Sequence, residues 1–254
     1  MDKGIYLAAS SINADKLKQQ NQAHEMANIS SVGFKKAFQM TQVTYRVDGD
    51  SSLSSRFYKV AEALGRVDLT AGPRMVSQNP LDIYIEGAGV LGVFNRDGEI
   101  AFTRRGDLRV DNEGILSNGA GFTVAADGGG EIQLDPGLIH RVSSEGVVYA
   151  SNPAEEIAEE VEIGRLLLRN AENVALEKME DGLFKVLGAE TTGDFEGSDV
   201  PVQITNQALE GSSVKSYDVL TRMIEIERGY EMKINIIKAL GDMGEKSQSL
   251  MQLN

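Results

Sequence analysis

Residues 213–253 read SVKSYDVLTRMIEIERGYEMKINIIKALGDMGEKSQSLMQL, and the spacing of their apolar side chains decides the fold. Met223, Tyr230 and Ile237 stand seven apart, and Met251 falls on the same phase after Gly244. A second row, Ile236, Met243 and Leu250, takes over beside the first, with Leu220 and Ile234 flanking. A sustained seven-residue repeat predicts a long helix that needs a partner helix and supercoils with it. Ser212 or Ser213 is placed to cap its start. Gly229, Gly241 and Gly244 each weaken the helix by up to about 1 kcal/mol relative to Ala, so it leans on packing or admits a close neighbour.

The other end of the chain has the same character. Over residues 5–29, Ile5, Ala8, Ala9, Ile12, Met26 and Ile29 recur near helical spacing, with Lys16, Lys18, Gln19 and Gln20 on other faces. Gly33 suits a left-handed helix stop, with Phe34 folding back. Gln19, Gln20, Asn21 and Gln22 sit consecutively in the middle of the stripe, so this helix is too poor to stand alone. Both ends want a partner, and the simplest partner is each other.

Between them the composition changes. Residues 36–80 are polar and weakly patterned, with Asp48-Gly49-Asp50-Ser51-Ser52 inside, and read as an extended connector. Residues 81–205 are glycine-rich and strand-like. Leu81, Ile83 and Ile85 alternate, as do Leu108 with Val110 and Ile132 with Leu134. Asn95–Gly98, Asp111–Gly114, Asn118-Gly119 and Ser144–Gly146 are turn signals. Short strands between such turns predict an all-β module. Ile163–Leu168 is expected as one buried strand, and Leu183–Val186 as another. Residues 154–162 carry five Glu and no base, which reads as a solvated lead-in. The expected fold is α+β: terminal helices forming a coiled-coil-like assembly domain, with a central β module. Its parts are residues 1–35, 36–80, 81–205 and 206–254.

Composition removes several functions. The 254 residues hold 25 Lys and Arg against 38 Asp and Glu, a net charge of −13 that repels phosphate backbones, so no nucleic-acid partner is expected. Cys is absent, which excludes disulfides and thiolate chemistry. His24 and His140 are the only histidines, too few for a multi-His metal site. No segment approaches the roughly 20 apolar residues of a membrane span, and no cleavable signal is visible at the start of the chain.

The catalytic look-alikes fail on context. Gly87-Ala88-Gly89-Val90-Leu91-Gly92 has the dinucleotide spacing, but Val93-Phe94 runs on into a hairpin turn where a helix should open. Asp111–Gly114 and Ala126–Gly130 lack a full calcium ligand set and read as turns. Glu180 and Asp181 precede Gly182 in another turn. His24 sits near the end of the first helix, where it caps carbonyls or meets a neighbour. No enzyme, cofactor or metal is expected.

Met26-Ala27-Asn28-Ile29-Ser30-Ser31-Val32-Gly33-Phe34-Lys35 resembles the N-terminal signature of the flagellar basal-body rod and hook proteins, which runs Asn-Leu-Ala-Asn, a Ser/Thr stretch, then Gly-Phe-Lys. Glu25 replaces the first Asn. Asn79–Gly89 resembles the family's strand-plus-glycine segment, with Val90 where an aromatic is usual. Phe102-Thr103-Arg104-Arg105-Gly106-Asp107-Leu108, Gly114-Ile115-Leu116, Gly164-Arg165-Leu166 and Asp181-Gly182-Leu183-Phe184 have counterparts in order. Leu209-Glu210-Gly211-Ser212-Ser213-Val214 resembles the opening of the family's last helix, and Met223–Glu231 its Met-Ile-x-x-x-Arg-x-Tyr/Phe-Glu.

Within that family, length and detail resemble the proximal-rod members more than the distal-rod ones. The resemblance implies a structural subunit of the flagellar motor, exported by the flagellar type III apparatus without a cleaved signal. It implies polymerisation with itself and other rod proteins in the periplasm, through the terminal helices. It further implies that Ile5, Ile12, Met26, Met223, Tyr230, Ile237 and Leu240 line the helix seam. Asn28, Gly33 and Phe34 would turn the chain out of the helical tube, and Arg228 would pair with a neighbour's carboxylate. The competing readings are a distal-rod or hook subunit and a secreted β-rich binding module.

Overall fold

Helix α1 spans Asp2–Ala27 and helix α2 spans Ser216–Gln252 in the computed structural model. The structure describes residues 2–37, 41–47, 56–62, 65–154, 160–198 and 200–252; for residues 2–8, 41–47, 56–62, 245 and 247–252 it describes the backbone alone. The chain forms two compact units: Met1–Ala27, Gln39–Leu64 and Lys215–Asn254 in the first, Asn28–Phe38 and Gly65–Val214 in the second.

Both helices have different ends from those expected. α1 stops at Ala27, short of Ile29 and Gly33, because the Asn28 carbonyl accepts from the Ser31 amide at 3.2 Å. The Ser31 hydroxyl also donates to Asn28 Oδ1 at 3.0 Å, so a local turn competes with the next helical bond. Neither Ser212 nor Ser213 caps α2. The helix begins at Ser216, and the Lys215 carbonyl accepts from the Asp218 and Val219 amides. Asp218 sits in the first turn, where a carboxylate complements the helix dipole.

In the first unit the two helices pack on each other. The sheltered row of α2 is Val219, Met223, Ile226, Lys233, Ile237, Leu240 and Gly244, alternately three and four apart apart from the position of Tyr230, which is exposed. Ile236 and Met243, expected as a second seam row, are exposed. Leu250 lies outside the described side chains. The deepest face of α1 is not the expected apolar stripe. Ser11, Ala14, Asp15, Gln22 and Glu25 are buried, while Ile12 and Met26 are half-buried. Residues 36–80, read from sequence as a connector, contain an antiparallel hairpin of β1 (Thr41–Val47) and β2 (Arg56–Glu62), with α1 packed on β2.

The second unit is antiparallel throughout. In chain order come β3 (Arg74–Val76), β4 (Ile83–Ile85), β5 (Gly89–Phe94), β6 (Ile100–Thr103), β7 (Leu108–Val110), β8 (Leu116–Asn118), β9 (Ile139–Val142) and β10 (Val147–Ser151). β11 (Val161–Arg165), β12 (Leu168–Asn170), β13 (Leu176–Lys178), β14 (Phe184–Val186), β15 (Ile204–Asn206) and β16 (Ala208–Glu210) complete it. The main sheet runs β12-β5-β6-β14-β13, a second runs β11-β10-β9, and three two-stranded ladders pair β7 with β8, β15 with β4 and β16 with β3. The principal core gathers Ile83, Ile85, Leu91, Val93, Leu116, Val148 and Leu166; a smaller one joins Val67, Val90, Phe102, Leu176 and Phe184.

The dinucleotide look-alike is a turn at Gly87-Ala88 that runs into strand β5, and it opens no helix. The calcium look-alike is a turn in which Asp111 Oδ1 accepts from the Glu113 and Ile115 amides. Ile163–Leu168 is two strands rather than one, divided at the buried pair Leu166 and Leu167; β11 is an edge with Ile163 exposed. The acidic run is only partly described, since residues 155–159 lie outside the described residues; Glu160 pairs with Arg141.

Candidate assembly interface

The seam between α1 and α2 is held by polar links. Lys233 pairs with Asp15, Arg222 Nη1 lies 3.7 Å from Glu25 Oε2, and Gln19 Nε2 donates to Glu227 Oε1 at 2.6 Å. These partners step along the two helices in opposite directions, so the pairing is antiparallel. Of the sequence-predicted seam, Met223, Ile237 and Leu240 lie on the sheltered row of α2, whereas Tyr230 is 42% exposed. Arg228 is exposed and takes no part in the three cross-helix links. Ile5 lies within α1, with its side chain outside the described ones.

α2 also keeps large apolar side chains in solvent. Tyr217, Leu220, Ile224, Met232, Ile236 and Met243 are between 49% and 63% exposed. A helix with one flank covered and apolar side chains left open on others has capacity for further partners.

Residues 28–37 form a strap in the second unit. Its amides and carbonyls join the segment that precedes α2: the Gly33 amide donates to the Glu210 carbonyl at 2.7 Å, and the Ser213 amide donates to the Phe34 carbonyl at 3.0 Å. The Lys36 amide donates to Ser213 Oγ, which explains why that serine is not a helix cap. Gly33 has φ of +65°, and a Cβ there would collide with the Arg104 carbonyl. The predicted turn residues Asn28, Gly33 and Phe34 are therefore brought together on this strap. Lys178 Nζ stands 3.7 Å above the Phe34 ring, a cation–π contact.

The strap leads to a group of residues that sequence reasoning quoted within motifs but did not single out. Lys35, Arg104 and Glu210 are each 1% exposed. Lys35 Nζ lies 2.7 Å from Glu210 Oε1, and Arg104 Nε lies 2.8 Å from Glu210 Oε2. The remaining donors are also satisfied. Lys35 donates to the Thr70 carbonyl at 2.6 Å; Arg104 donates to the carbonyls of Ile85, Gly87 and Gly89. The Gly72 amide adds a third hydrogen bond to the Glu210 carboxylate, at 2.7 Å.

The electrostatics follow from burial and charge count. Burial, and then the nearby Arg104 cation, lower the Lys35 pKa, although Glu210 pulls the other way. Burial alone would raise the Glu210 pKa, but the Arg104 hydrogen bond and the two cations outweigh it and hold the carboxyl below its ordinary range. A buried carboxylate that stays ionised between two cations is a structural tie. In sequence its members are three charged residues in three separate motifs, with Arg104 beside Arg105 and Lys35 beside Lys36, so nothing local marks which of them are buried. Among the described residues no group of three or more His, Asp or Glu is placed to hold a metal ion.

Known proteins match this chain in sequence. The model for the flagellar hook protein FlgE/F/G D1 domain matches residues 84–150, and that for the flagellar basal body rod FlgEFG protein C-terminal region matches residues 205–250. The flagellar basal-body rod protein FlgF of Salmonella typhimurium is 29% identical over 256 aligned positions, covering all of both chains. FlgF of Escherichia coli K12 is 28% identical, again over the whole of both. The rod protein FlgG of Bacillus subtilis is 24% identical over 93% of this chain and 94% of its own.

Proposed function

We propose, from this chain's membership of the flagellar FlgE/F/G family, that it is a structural subunit of the basal-body rod, in the proximal, FlgF-like position. The observation that carries this is the end-to-end match to FlgF proteins, which spans the strap, the β module and both helices of this chain. It is a mechanical part and not an enzyme. The terminal helices form the coiled-coil-like assembly domain, through the row that includes Ile12, Met26, Met223, Ile237 and Leu240, with Ile5 and Tyr230 completing the seam in the polymer. The open apolar side chains Leu220, Ile224, Ile236 and Met243 of α2 support that reading, because a subunit packed among copies leaves such surfaces for its neighbours. Head-to-tail contacts that do not close build a filament.

On this reading the inner domain is residues 1–35 with 206–254, residues 36–80 link it outward, and residues 81–205 sit outside the tube. Asn28, Gly33 and Phe34 turn the chain between them, and Arg228 pairs with a neighbour's carboxylate. Partners are other copies and the adjoining rod proteins, reached after export without a cleaved signal; the rod crosses the periplasm and carries torque.

The test is deletion of the gene followed by purification of basal bodies for mass spectrometry and electron microscopy. The parent rod should contain the chain, and the mutant should lack a complete rod and fail to swim. Normal basal bodies without it would overturn the proposal. In complementation, Ile224→Asp should abolish swimming while leaving the fold of the purified protein unchanged, since Ile224 is already in solvent.

A further inference from the structure

The charge of the chain is divided unevenly between its two units. The first unit (Met1–Ala27, Gln39–Leu64 and Lys215–Asn254) holds 12 Lys and Arg against 12 Asp and Glu, a net of zero. The second (Asn28–Phe38 and Gly65–Val214) holds 13 against 26, so the whole of the −13 lies there.

Exposed apolar side chains do not separate the units. The first leaves Leu220, Ile224 and Ile236 of α2 open. The second leaves Met75 and Val76 on β3 and Val161 and Ile163 on β11, between 39% and 91% exposed. Those two strands are also edges. Among the described residues β3 pairs only with β16 and β11 only with β10, so each presents a row of backbone groups to any strand that approaches. By contact chemistry alone, the second unit offers a second copy at least as much as the first does.

Charge reverses that order. Two first units bring no net charge of their own to a contact. Two second units each bring a surplus of 13 carboxylates, and they repel once they come within a Debye length, about 10 Å at 0.1 M salt. Carboxylates caught in such a contact must also shed water without gaining a cation, a cost that salt leaves in place. β11 carries part of this protection itself. Glu162 stands exposed between Val161 and Ile163, and the ladder with β10 shifts register between Val148 and Tyr149, an irregularity that blunts an edge against a straight partner strand.

We propose that the surplus carboxylates of the second unit guard its open edges, β3 and β11, against the edges of a second copy, and leave the neutral first unit as the surface through which copies meet. The guard is a property of the purified chain and does not depend on the rod reading.

The test removes charge from the second unit without touching either edge. Glu113, Glu131, Glu172, Glu180, Glu190 and Glu196 are exposed and make no ion pair or side-chain hydrogen bond among the described residues. Changing all six to Gln takes the second unit from −13 to −7. The change is made in the full chain carrying Ile224→Asp, so that the open side chains of α2 are not the route. At 0.1 M salt the Ile224→Asp chain should sediment as a monomer, and the chain with six Gln should self-associate at least tenfold more tightly. Hydrogen exchange should then locate the contact: amides of residues 74–76 and 161–165 should slow as protein concentration rises, while those of α2 keep their rates. Adding Val76→Lys and Ile163→Lys, at two exposed edge positions, should return the chain to a monomer. Matching thermal melts across the variants show that the fold is kept. A chain with six Gln that is as monomeric as its parent would overturn the proposal. So would association that survives the two lysines, or that protects α2 instead of the edges.

Discussion

The Glu210 carboxylate is shielded from water, yet it meets Lys35, Arg104 and the Gly72 amide, and the triad is worth more when probed than when formed. Removing one partner of a buried ionic group costs about 3–5 kcal/mol, because the remaining charges stay buried without compensation. Glu210→Gln should therefore lower the urea-unfolding free energy by about that amount, leaving two cations around a neutral amide. The pH dependence has a definite sign. Because the folded pKa of Glu210 is lowered, the unfolded chain takes up the proton first as pH falls. Its contribution is complete above the ordinary carboxylate value of about 4.3 and drains as pH falls from there through the folded value. His140 acts at milder pH. Burial lowers its pKa, only partly opposed by Asp135, and its Nε2 is buried without a partner among the described residues. Its contribution is complete above about 6.5 and drains below that. Thermal melts from pH 7 downward should show stability falling first near pH 6. His140→Gln should remove that first decline, and Glu210→Gln the later one. A triad joined across 175 and 106 residues leaves no local pattern, which is why sequence periodicity did not single it out.

At the scale of elements, α1 has polar residues on its buried face, with Gln22 Oε1 left without a donor among the described residues. An isolated helix of that quality is marginal, so α1 depends on its partner. The Asp15–Lys233 pair then has two roles that mutation separates. Lys233→Met leaves Asp15, at 10% side-chain exposure, facing an apolar neighbour and should lower helical content by circular dichroism. Asp15→Leu combined with Lys233→Leu should restore it, because an apolar pair of that size packs without desolvation cost. Equal loss in both variants would show that the pair contributes net stability. The same helix shows where a sequence is legible and where it is not. Helix existence followed from spacing, but the stripe counted only apolar residues and missed a face made of Ser11, Asp15, Gln22 and Glu25. Strands such as β4–β6 were legible because alternation and Asx turns are local. Helix ends were not: Ser213 bonds to Phe34 and Lys36, which only the fold brings near, and at Asn28 a local turn with Ser31 wins over the next helical bond. The β1–β2 hairpin did leave a signal, Val43, Tyr45 and Val47 alternating with Thr44 and Arg46, which the polar composition around it masked.

For the whole molecule, a net charge of −13 opposes the apolar contacts that α2 leaves open. Like-charged subunits repel over about a Debye length, roughly 30 Å at 0.01 M salt and about 3 Å at 1 M. Apolar association depends much less on salt and is strengthened, if anything, by excluded anions. The balance should therefore tip with ionic strength alone. Purified chain at low salt should sediment as a monomer, and raising sodium chloride towards 1 M should produce concentration-dependent self-association in analytical ultracentrifugation. Ile224→Asp carries the same repulsion plus one more charge and has lost an exposed apolar contact, so it should stay monomeric across the range. If that variant associates as readily as the parent, the association runs through another surface. If the parent remains monomeric at every salt concentration, the open apolar side chains of α2 do not drive self-association, and charge is not what restrains it.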